Sequence, residues 1–199
     1  MMGPAAVLLA AGAGSRFRGN VHKLVAPLHG RRLIDHALDA ALDANIGPVI
    51  VVTGALDAAT LGLDKRPAGT ITIVHNEQWA HGQSGSLLLA AQTASEQGVD
   101  AIVVALGDQP AISPAAWRAV AHSTSPLAIA DYGGERGHPV RIAAEMFAEL
   151  PNHGDTGARD LLRHHVHLVE PVPCAGSPAD VDTVEELEKW PRQSPTNSP

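Results

Sequence analysis

Short runs of consecutive apolar residues recur along this chain, and they constrain its fold more than any other feature. The runs Ala5–Ala10, Pro48–Thr53 and Ala101–Leu106 are shorter than typical helices and carry almost no polar side chains. Such runs are typical of strands buried on both faces of a parallel sheet, whose neighbours need a crossover segment between them. Further strands of this kind are predicted at Thr70–His75 and Pro126–Ala130.

Helical segments separate these strands. Apolar residues recur at helical spacing in Leu33–Leu42, in about Gly85–Gln97 and, more weakly, in Leu56–Lys65. We therefore expect an α/β fold, a Rossmann-like three-layer sandwich with a mainly parallel sheet between two helical layers. Beyond residue 131 the elements become shorter, with one strand and then two helices predicted at Pro139–Ile142, Glu145–Leu150 and Asp155–His164.

Length and composition predict one domain with a short tail. A chain of 199 residues with 45% hydrophobic content can bury a single substantial core. We expect that domain to span residues 1–190. Residues 191–199 contain mainly Pro, Ser, Thr and Asn, so they are predicted to be a disordered tail.

Charge and cysteine content exclude several classes of partner. The formal net charge of -7 argues against a general nucleic-acid or anionic-membrane surface, which would need a basic excess. Cys174 is the single cysteine, so no internal disulfide framework exists. The apolar start of the chain lacks the basic region of a signal peptide. These features favour a reduced, cytoplasmic protein.

The loop after the first apolar run has the character of a phosphate site. Small residues in the loop Ala11–Arg16 let backbone N–H groups approach a polyphosphate, and the side chains of Arg16 and Lys23 can neutralise its charge. The dinucleotide fingerprint fails because Phe17 stands where the third glycine belongs. A Walker A loop fails too, because no Gly-Lys-Ser/Thr is present.

A second loop, Gly107–Pro110, follows another apolar run and contributes the carboxylate of Asp108. Asp is common in turns, but a carboxylate at a strand end also supplies the hard oxygen ligand that Mg²⁺ takes together with nucleotide phosphates. Open α/β sheets bind ligands at the carboxyl ends of their strands, where both loops lie. We interpret the two loops together as a site for a nucleotide and its magnesium.

Six motifs in order resemble the MobA-like nucleotidyltransferases, and most closely their molybdopterin cytidylyltransferase branch. They cover nearly the whole chain and are LLAAGAGSRF from Leu8, the downstream Lys23 with the segment Asn76–Leu87, GDQP from Gly107, RGHP from Arg136, GDTGAR from Gly154 and DVDT from Asp180. The resemblance implies a nucleotide-diphospho-sugar transferase-like fold. It also implies an enzyme that transfers CMP from CTP to molybdopterin cofactor with release of pyrophosphate.

The resemblance also implies roles for individual residues. Arg16, Lys23 and Asp108 would be catalytic, with Asp108 and Asp182 as Mg²⁺ ligands; Asp182 also suits a position at a helix start. The nucleotide would be bound by Leu9, Ala10, Ala11, Gly12, Ala13, Gly14, Ser15, Arg16, Lys23, Asn76, Gly82, Ser84 and Asp108. The acceptor would be bound by Arg136, His138, Asp155 and Arg159. Alanine at position 11 is typical of the branch that uses CTP.

Two departures from the family pattern keep alternatives open. The loop between Arg16 and Lys23 is longer than usual, and Gln83, Ser84 and Gly85 stand where the family often has Met and paired Ser. One alternative is another phosphorylated acceptor, such as a sugar phosphate or phospholactate, used with GTP or another NTP. The other is a non-catalytic protein that binds molybdenum cofactor and delivers it to a molybdoenzyme.

Overall fold

The computed structural model describes residues 3–191, where nine strands and five α-helices are found. The strands are β1 (Ala5–Ala10), β2 (Pro27–Leu28), β3 (Arg31–Arg32), β4 (Val49–Thr53), β5 (Thr72–His75), β6 (Ala101–Leu106), β7 (Leu127–Asp131), β8 (Arg136–Ala143) and β9 (Val169–Pro173). The helices are α1 (Leu33–Ala44), α2 (Gln83–Glu96), α3 (Pro114–Ala121), α4 (Arg159–His164) and α5 (Val184–Lys189).

Seven of the strands form one sheet in the order β5-β4-β1-β6-β8-β7-β9. Every neighbouring pair is parallel except the two that contain β8, which runs antiparallel to β6 and β7. The reversal follows from the short connection between β7 and β8, where Tyr132 N donates to Glu135 O, because a tight turn joins only antiparallel strands. The predicted mainly parallel sheet is confirmed.

Helices cover both faces of this sheet. Alternate residues of β1 point to opposite sides, so Leu8 packs in the cluster that contains α1 and α3, whereas Val7 packs in the cluster that contains α2. Trp117 of α3 is only 1% exposed and is the largest fully buried side chain. The three-layer sandwich expected from the sequence is therefore present.

Three predicted helices differ from the structure. Leu56–Lys65 consists of turns and a short 3₁₀ helix, because Gly62 takes a left-handed conformation (φ 64°) that interrupts helical backbone. The prediction of an α-helix there is wrong. Gly157, also left-handed (φ 54°), delays the start of α4 until Arg159, and the helix predicted at Glu145–Leu150 is a 3₁₀ helix, Ala144–Glu149.

A small third cluster joins the first loop to the end of the described chain. Phe17 and Val181 are buried together with Leu33, and Val184 and Trp190 pack against them. Phe17 thereby fixes the long loop that precedes Lys23. This packing also brings the segment before α5 back to the carboxyl edge of β1 and β6.

Among the described residues, no helix is both long and apolar enough to cross a membrane. The predicted disordered tail, residues 191–199, lies outside the described residues except for Pro191. The single domain over residues 1–190 stays a prediction.

Candidate active site

The loop after β1 folds back on the residue that precedes Lys23. Leu24 N donates to His22 Nδ1 at 3.2 Å, so the other ring nitrogen, Nε2, carries the hydrogen and donates to Gly12 O at 3.0 Å. Burial lowers the pKa of His22, which keeps the ring neutral as this bridge requires. Gly14 is left-handed (φ 62°), and a Cβ there would lie 3.0 Å from Lys23 Cγ. The loop and the lysine stem are therefore in close contact.

Lys23 and Asp108, which are 85 residues apart in sequence, form an ion pair at the carboxyl edge of β1 and β6. Lys23 Nζ lies 2.5 Å from Asp108 Oδ2 and 3.0 Å from Asp182 Oδ1. Burial alone would lower the pKa of Lys23, but the two carboxylates raise it above its ordinary value. Arg16 pairs with the other oxygen of Asp182 while most of its own side chain stays exposed.

Three carboxylates converge at this point. Asp108, Asp180 and Asp182 each offer an oxygen, and these oxygens lie within 4.8 Å of one another. Asp108 is 9% exposed, and within the described residues its buried Oδ1 has no hydrogen-bond partner. Burial, and then the neighbouring Asp182 and Asp108, raise the pKa of Asp180. The donor set fits a hard divalent cation, which binds carboxylate oxygens and would engage the unpartnered one.

Asp180 is missing from the metal ligands predicted from the sequence. It precedes Asp182 by two positions in the segment between β9 and α5, and both carboxylates reach the same cluster. This spacing is the sequence signal that identifies Asp180 as a companion of Asp182.

Hydrogen bonds hold the segment 178–182, which carries Asp180 and Asp182, against the end of β6. Val181 N donates to Asp108 O at 3.0 Å. The side chain of Gln109 accepts from Leu106 N and donates to Pro178 O at 2.9 Å, so it connects the two segments. The capping box of Thr183 and Glu186 then starts α5 immediately after Asp182. Asp182 is therefore adjacent to the helix N-cap rather than the cap itself.

A cavity of about 540 Å³ opens above these groups. Its wall contains the predicted residues Leu9, Ala10, Ala11, Gly12, Ala13, Gly14, Ser15, Arg16, Lys23, Gly82, Asp108, Asp155 and Asp182. Eight further wall residues are absent from the predicted site, and these are Leu24, Trp79, Ala80, Gln83, Ser86, Leu106, Gly107 and Asp180. Trp79 comes close because β4 is followed by Gly54, where a Cβ would lie 2.6 Å from Trp79 Cβ and 2.7 Å from Ala11 O.

Two residues predicted to bind the nucleotide lie behind the cavity wall. Ser84 is fully buried, and its hydroxyl accepts a hydrogen bond from Gly157 N at 3.2 Å. Asn76 is also buried; its side chain donates to Ser86 Oγ at 2.9 Å and lines a second cavity, of about 630 Å³, beyond α2. Both side chains position the segment that precedes and begins α2.

The predicted acceptor residues are divided between the cavity and its surroundings. Asp155 lines the cavity, whereas Arg136, His138 and Arg159 lie outside its wall. Burial lowers the pKa of His138 to about 4, Asp108 opposes this shift and Arg159 adds to it. His138 therefore lies close enough to both charges to sense them and is neutral near pH 7. Arg136 and Arg159 are exposed.

Comparison with known proteins identifies the family. The MobA-like NTP transferase domain matches residues 6–169. The chain belongs to this family, and the nucleotidyltransferase predicted from its sequence is confirmed. Nicotine blue oxidoreductase from Paenarthrobacter nicotinovorans is 34% identical in an alignment 194 residues long, which covers 91% of this chain and 93% of that protein.

Solved structures share the fold of this MobA-like chain. Rv0371c from Mycobacterium tuberculosis has a TM-score of 0.79 and 27% identity, covering 94% of this chain and 96% of that one. A second structure of Rv0371c, at 26% identity, is a complex with manganese. A nucleotidyl transferase from Methanothermobacter has a TM-score of 0.78 and 28% identity, covering 92% of this chain and 94% of that one.

Proposed function

We propose that the cavity binds CTP with Mg²⁺ and that the enzyme transfers CMP to the terminal phosphate of molybdopterin cofactor. The observation that carries this proposal is the convergence of Asp108, Asp180 and Asp182 with Lys23 beside a glycine loop. Carboxylates for a divalent cation and cations for phosphates then lie at one edge of the sheet. The choice of CTP rests on Ala11 and on the resemblance to the cytidylyltransferase branch.

The triphosphate would lie along the loop after β1. Backbone N–H groups of that loop would donate to phosphate oxygens, and Arg16 and Lys23 would neutralise their charge. Asp108, Asp180 and Asp182 would hold Mg²⁺, which stabilises negative charge on the nucleotide phosphates when it is bound. The manganese complex of Rv0371c supports a divalent cation in this fold.

The transfer itself needs no protein base. A phosphate oxygen of the acceptor attacks the α-phosphorus, the bond to the bridging oxygen of pyrophosphate breaks, and pyrophosphate leaves with those electrons. An acceptor phosphate is largely deprotonated near neutral pH, so the residues contribute alignment and charge neutralisation. Because His138 is neutral, the positive charge for the acceptor would come from Arg159 and Arg136.

Pyrophosphate release by the purified protein tests this function. The protein, Mg²⁺ and molybdopterin cofactor are incubated in parallel with CTP, GTP, ATP or UTP. Release with CTP is expected, and preference for another NTP would revise the base pocket alone. Release only with a sugar phosphate or phospholactate would replace the acceptor. Cofactor binding without any release would favour the delivery protein, with a molybdoenzyme as recipient.

An oxidoreductase is the second candidate, because the Paenarthrobacter relative that spans most of this chain bears that name. The loop sequence argues against a nicotinamide dinucleotide site of the usual kind, since Phe17 replaces the third glycine of the fingerprint. Incubation with NADH or NADPH and nicotine blue, followed by the nicotinamide absorbance, tests it. Turnover there without pyrophosphate release in the first assay would favour this candidate.

A further inference from the structure

The position of the Lys23 ammonium bears on how a metal enters the site. Its Nζ contacts Asp108 Oδ2 and Asp182 Oδ1, which belong to two of the three carboxylates that fit a divalent cation. The Lys23 side chain is 11% exposed, so few water molecules can share these oxygens with it. In this arrangement the ammonium occupies the place of a cation among the carboxylates.

A divalent cation bound to Asp108 and Asp182 and the Lys23 ammonium would repel each other. Mg²⁺ binds oxygen at about 2.1 Å, well inside hydrogen-bond distance, and two cations sharing one oxygen repel each other in a partly desolvated site. The unpartnered Oδ1 of Asp108 can accept the metal first, but coordination by both Asp108 and Asp182 places the metal beside Lys23 Nζ, and the repulsion between the two cations favours departure of Nζ. The lysine would then be a buried cation without a partner unless another anion were within reach.

The neighbourhood of the lysine stem supplies such an anion site. Lys23 Cγ lies against Gly14, where an added Cβ would be 3.0 Å away, so the stem passes beside the loop proposed to hold the phosphates. The Lys23 backbone begins the short 3₁₀ helix Lys23–Val25, which is capped by His22. Rotation about the end of the flexible stem can carry Nζ from the carboxylates towards the loop while the backbone stays fixed.

We propose that Lys23 acts as a displaceable counter-ion, which occupies the carboxylate cluster before the metal binds and moves to the nucleotide phosphates when it does. The inference rests on the proposed function for the identity of the metal and phosphate sites. Beyond that function, the position of Lys23 would weaken binding of the free metal and favour binding of the metal together with the nucleotide. Metal and nucleotide binding are then positively coupled.

Binding of Mn²⁺ without nucleotide tests the displacement. Lys23→Met removes the ammonium and keeps most of the stem, so the variant is expected to bind Mn²⁺ about tenfold tighter than the wild type in a titration of free Mn²⁺ by electron paramagnetic resonance. Lys65→Met is the matched control, because Lys65 is exposed and does not line the cavity, and its affinity should equal that of the wild type. Circular dichroism establishes that both variants are folded.

The wild-type protein provides a second measurement that needs no substitution. Its three lysines are Lys23, Lys65 and Lys189. With ¹⁵N-labelled lysine, saturating Mg²⁺ should shift the Nζ resonance of Lys23 and leave the other two unchanged. Equal, weaker or absent Mn²⁺ binding in folded Lys23→Met, or an unmoved Lys23 resonance, would overturn the displacement.

Further measurements distinguish failure of the proposal for Lys23 from failure of the proposed function. Loss of Mn²⁺ binding in Lys23→Met/Asp108→Asn, compared with Lys23→Met, reports the metal site itself. Pyrophosphate release reports the reaction. A protein that binds Mn²⁺ through Asp108 with no gain in Lys23→Met would keep the metal site and refute the role of Lys23. Tighter Mn²⁺ binding in Lys23→Met, together with no pyrophosphate release by the wild type, would keep the role of Lys23 at the metal site and refute the proposed reaction.

Discussion

At the scale of single residues, Asp108 is the side chain on which the candidate site most depends. One of its oxygens pairs with Lys23, and the other is buried without a partner in the described part of the chain. An amide in its place would keep the shape but lose the charge that a divalent cation and the lysine both need. The carboxylate is therefore expected to matter more for activity than for the fold.

Asp108→Asn should lower Mg²⁺-dependent pyrophosphate release by roughly a hundredfold or more, because removal of one electrostatic stabiliser commonly costs that much. Its circular dichroism spectrum should match that of the wild type. Asp64→Asn is the matched control, since Asp64 is exposed and does not line the cavity. Full activity in Asp108→Asn would remove Asp108 from the metal site.

His138 makes the free energy of unfolding depend on pH, and the dependence lowers stability in acid. Burial lowers its pKa to about 4 from 6.5, so the unfolded chain binds more protons between these values and stability is lost as the pH falls through them. The contribution is fully present above pH 6.5. Its loss by pH 4 amounts to about 3 kcal/mol at most, from the size of the shift.

Urea unfolding between pH 7 and pH 4 measures this contribution. His138→Gln should show a smaller fall in the free energy of unfolding than the wild type, whatever its stability at pH 7. His164→Gln, at an exposed position, should keep the wild-type slope. Identical slopes for the wild type and His138→Gln would mean that His138 is not buried as a neutral ring.

At the scale of elements, the start of α2 is joined to the loop that carries Asp155. Ser84 N donates to Gly154 O at 3.0 Å, Gly154 N donates to His81 O at 3.2 Å, and Gly157 N donates to the Ser84 hydroxyl. Gly82 has no room for a side chain, because a Cβ would lie 2.3 Å from Gly154 O. The start of α2 and the loop that carries Asp155 therefore share one hydrogen-bonded frame.

Ser84→Ala should consequently affect the acceptor more than the nucleotide. Loss of the hydroxyl leaves Gly157 N without its acceptor, at a cost of about 1–3 kcal/mol in stability. The KM for the acceptor should rise several-fold while the KM for the NTP changes little. Ser95→Ala, an exposed position on the same helix, is the control. A rise confined to the KM for the NTP would instead support direct nucleotide binding by Ser84.

Sequence predicts the strands of this molecule better than its short helices. β1 and β6 match their predicted bounds because their residues are apolar throughout and end at turn signals. The failure at Leu56–Lys65 has a local cause, since the backbone at Gly62 turns left-handed while Leu61 and Leu63 remain buried. Helical spacing does not distinguish buried leucines in a turn from those on a helix.

Sequence predicts those parts of the candidate site that directly follow a strand. It does not predict the contacts that form where segments distant in sequence meet. The glycine loop and Asp108 follow directly from strands, and both line the cavity. The pairing of Lys23 with Asp108 and Asp182 depends on tertiary packing of Phe17 against Val181, which local sequence patterns do not encode. The burial of Ser84 was not predictable for a similar reason, because Gly157, which donates to its hydroxyl, is remote in sequence.

At the scale of the whole molecule, the segment that follows β9 forms part of the cavity wall. The chain leaves β9, reaches the carboxyl edge of the sheet at Asp180 and Asp182, and then enters α5. Val184, Leu187 and Trp190 pack against the cluster of Phe17 and Leu33. Two of the three carboxylates are thus held in place by packing that follows them in sequence.

Two truncated chains distinguish the contribution of α5 from that of residues 191–199. A chain that ends after Trp190 should keep stability and activity, as the composition of residues 191–199 predicts. A chain that ends after Asp182 loses α5 with its capping box and three apolar side chains, so its free energy of unfolding should fall by about 2–4 kcal/mol. Urea unfolding measures both changes.

The shorter chain should also lose Mn²⁺ affinity, although it retains all three carboxylates. Without α5, Asp182 N no longer donates to Glu186 Oε2 and Phe17 loses part of its cover, so neither Asp182 nor the loop before Lys23 is held at the end of β6. Unchanged Mn²⁺ affinity in the folded shorter chain would mean that Val181 and its bond to Asp108 O suffice to hold the cluster. A large loss in the chain that ends after Trp190 would give residues 191–199 a part in the site.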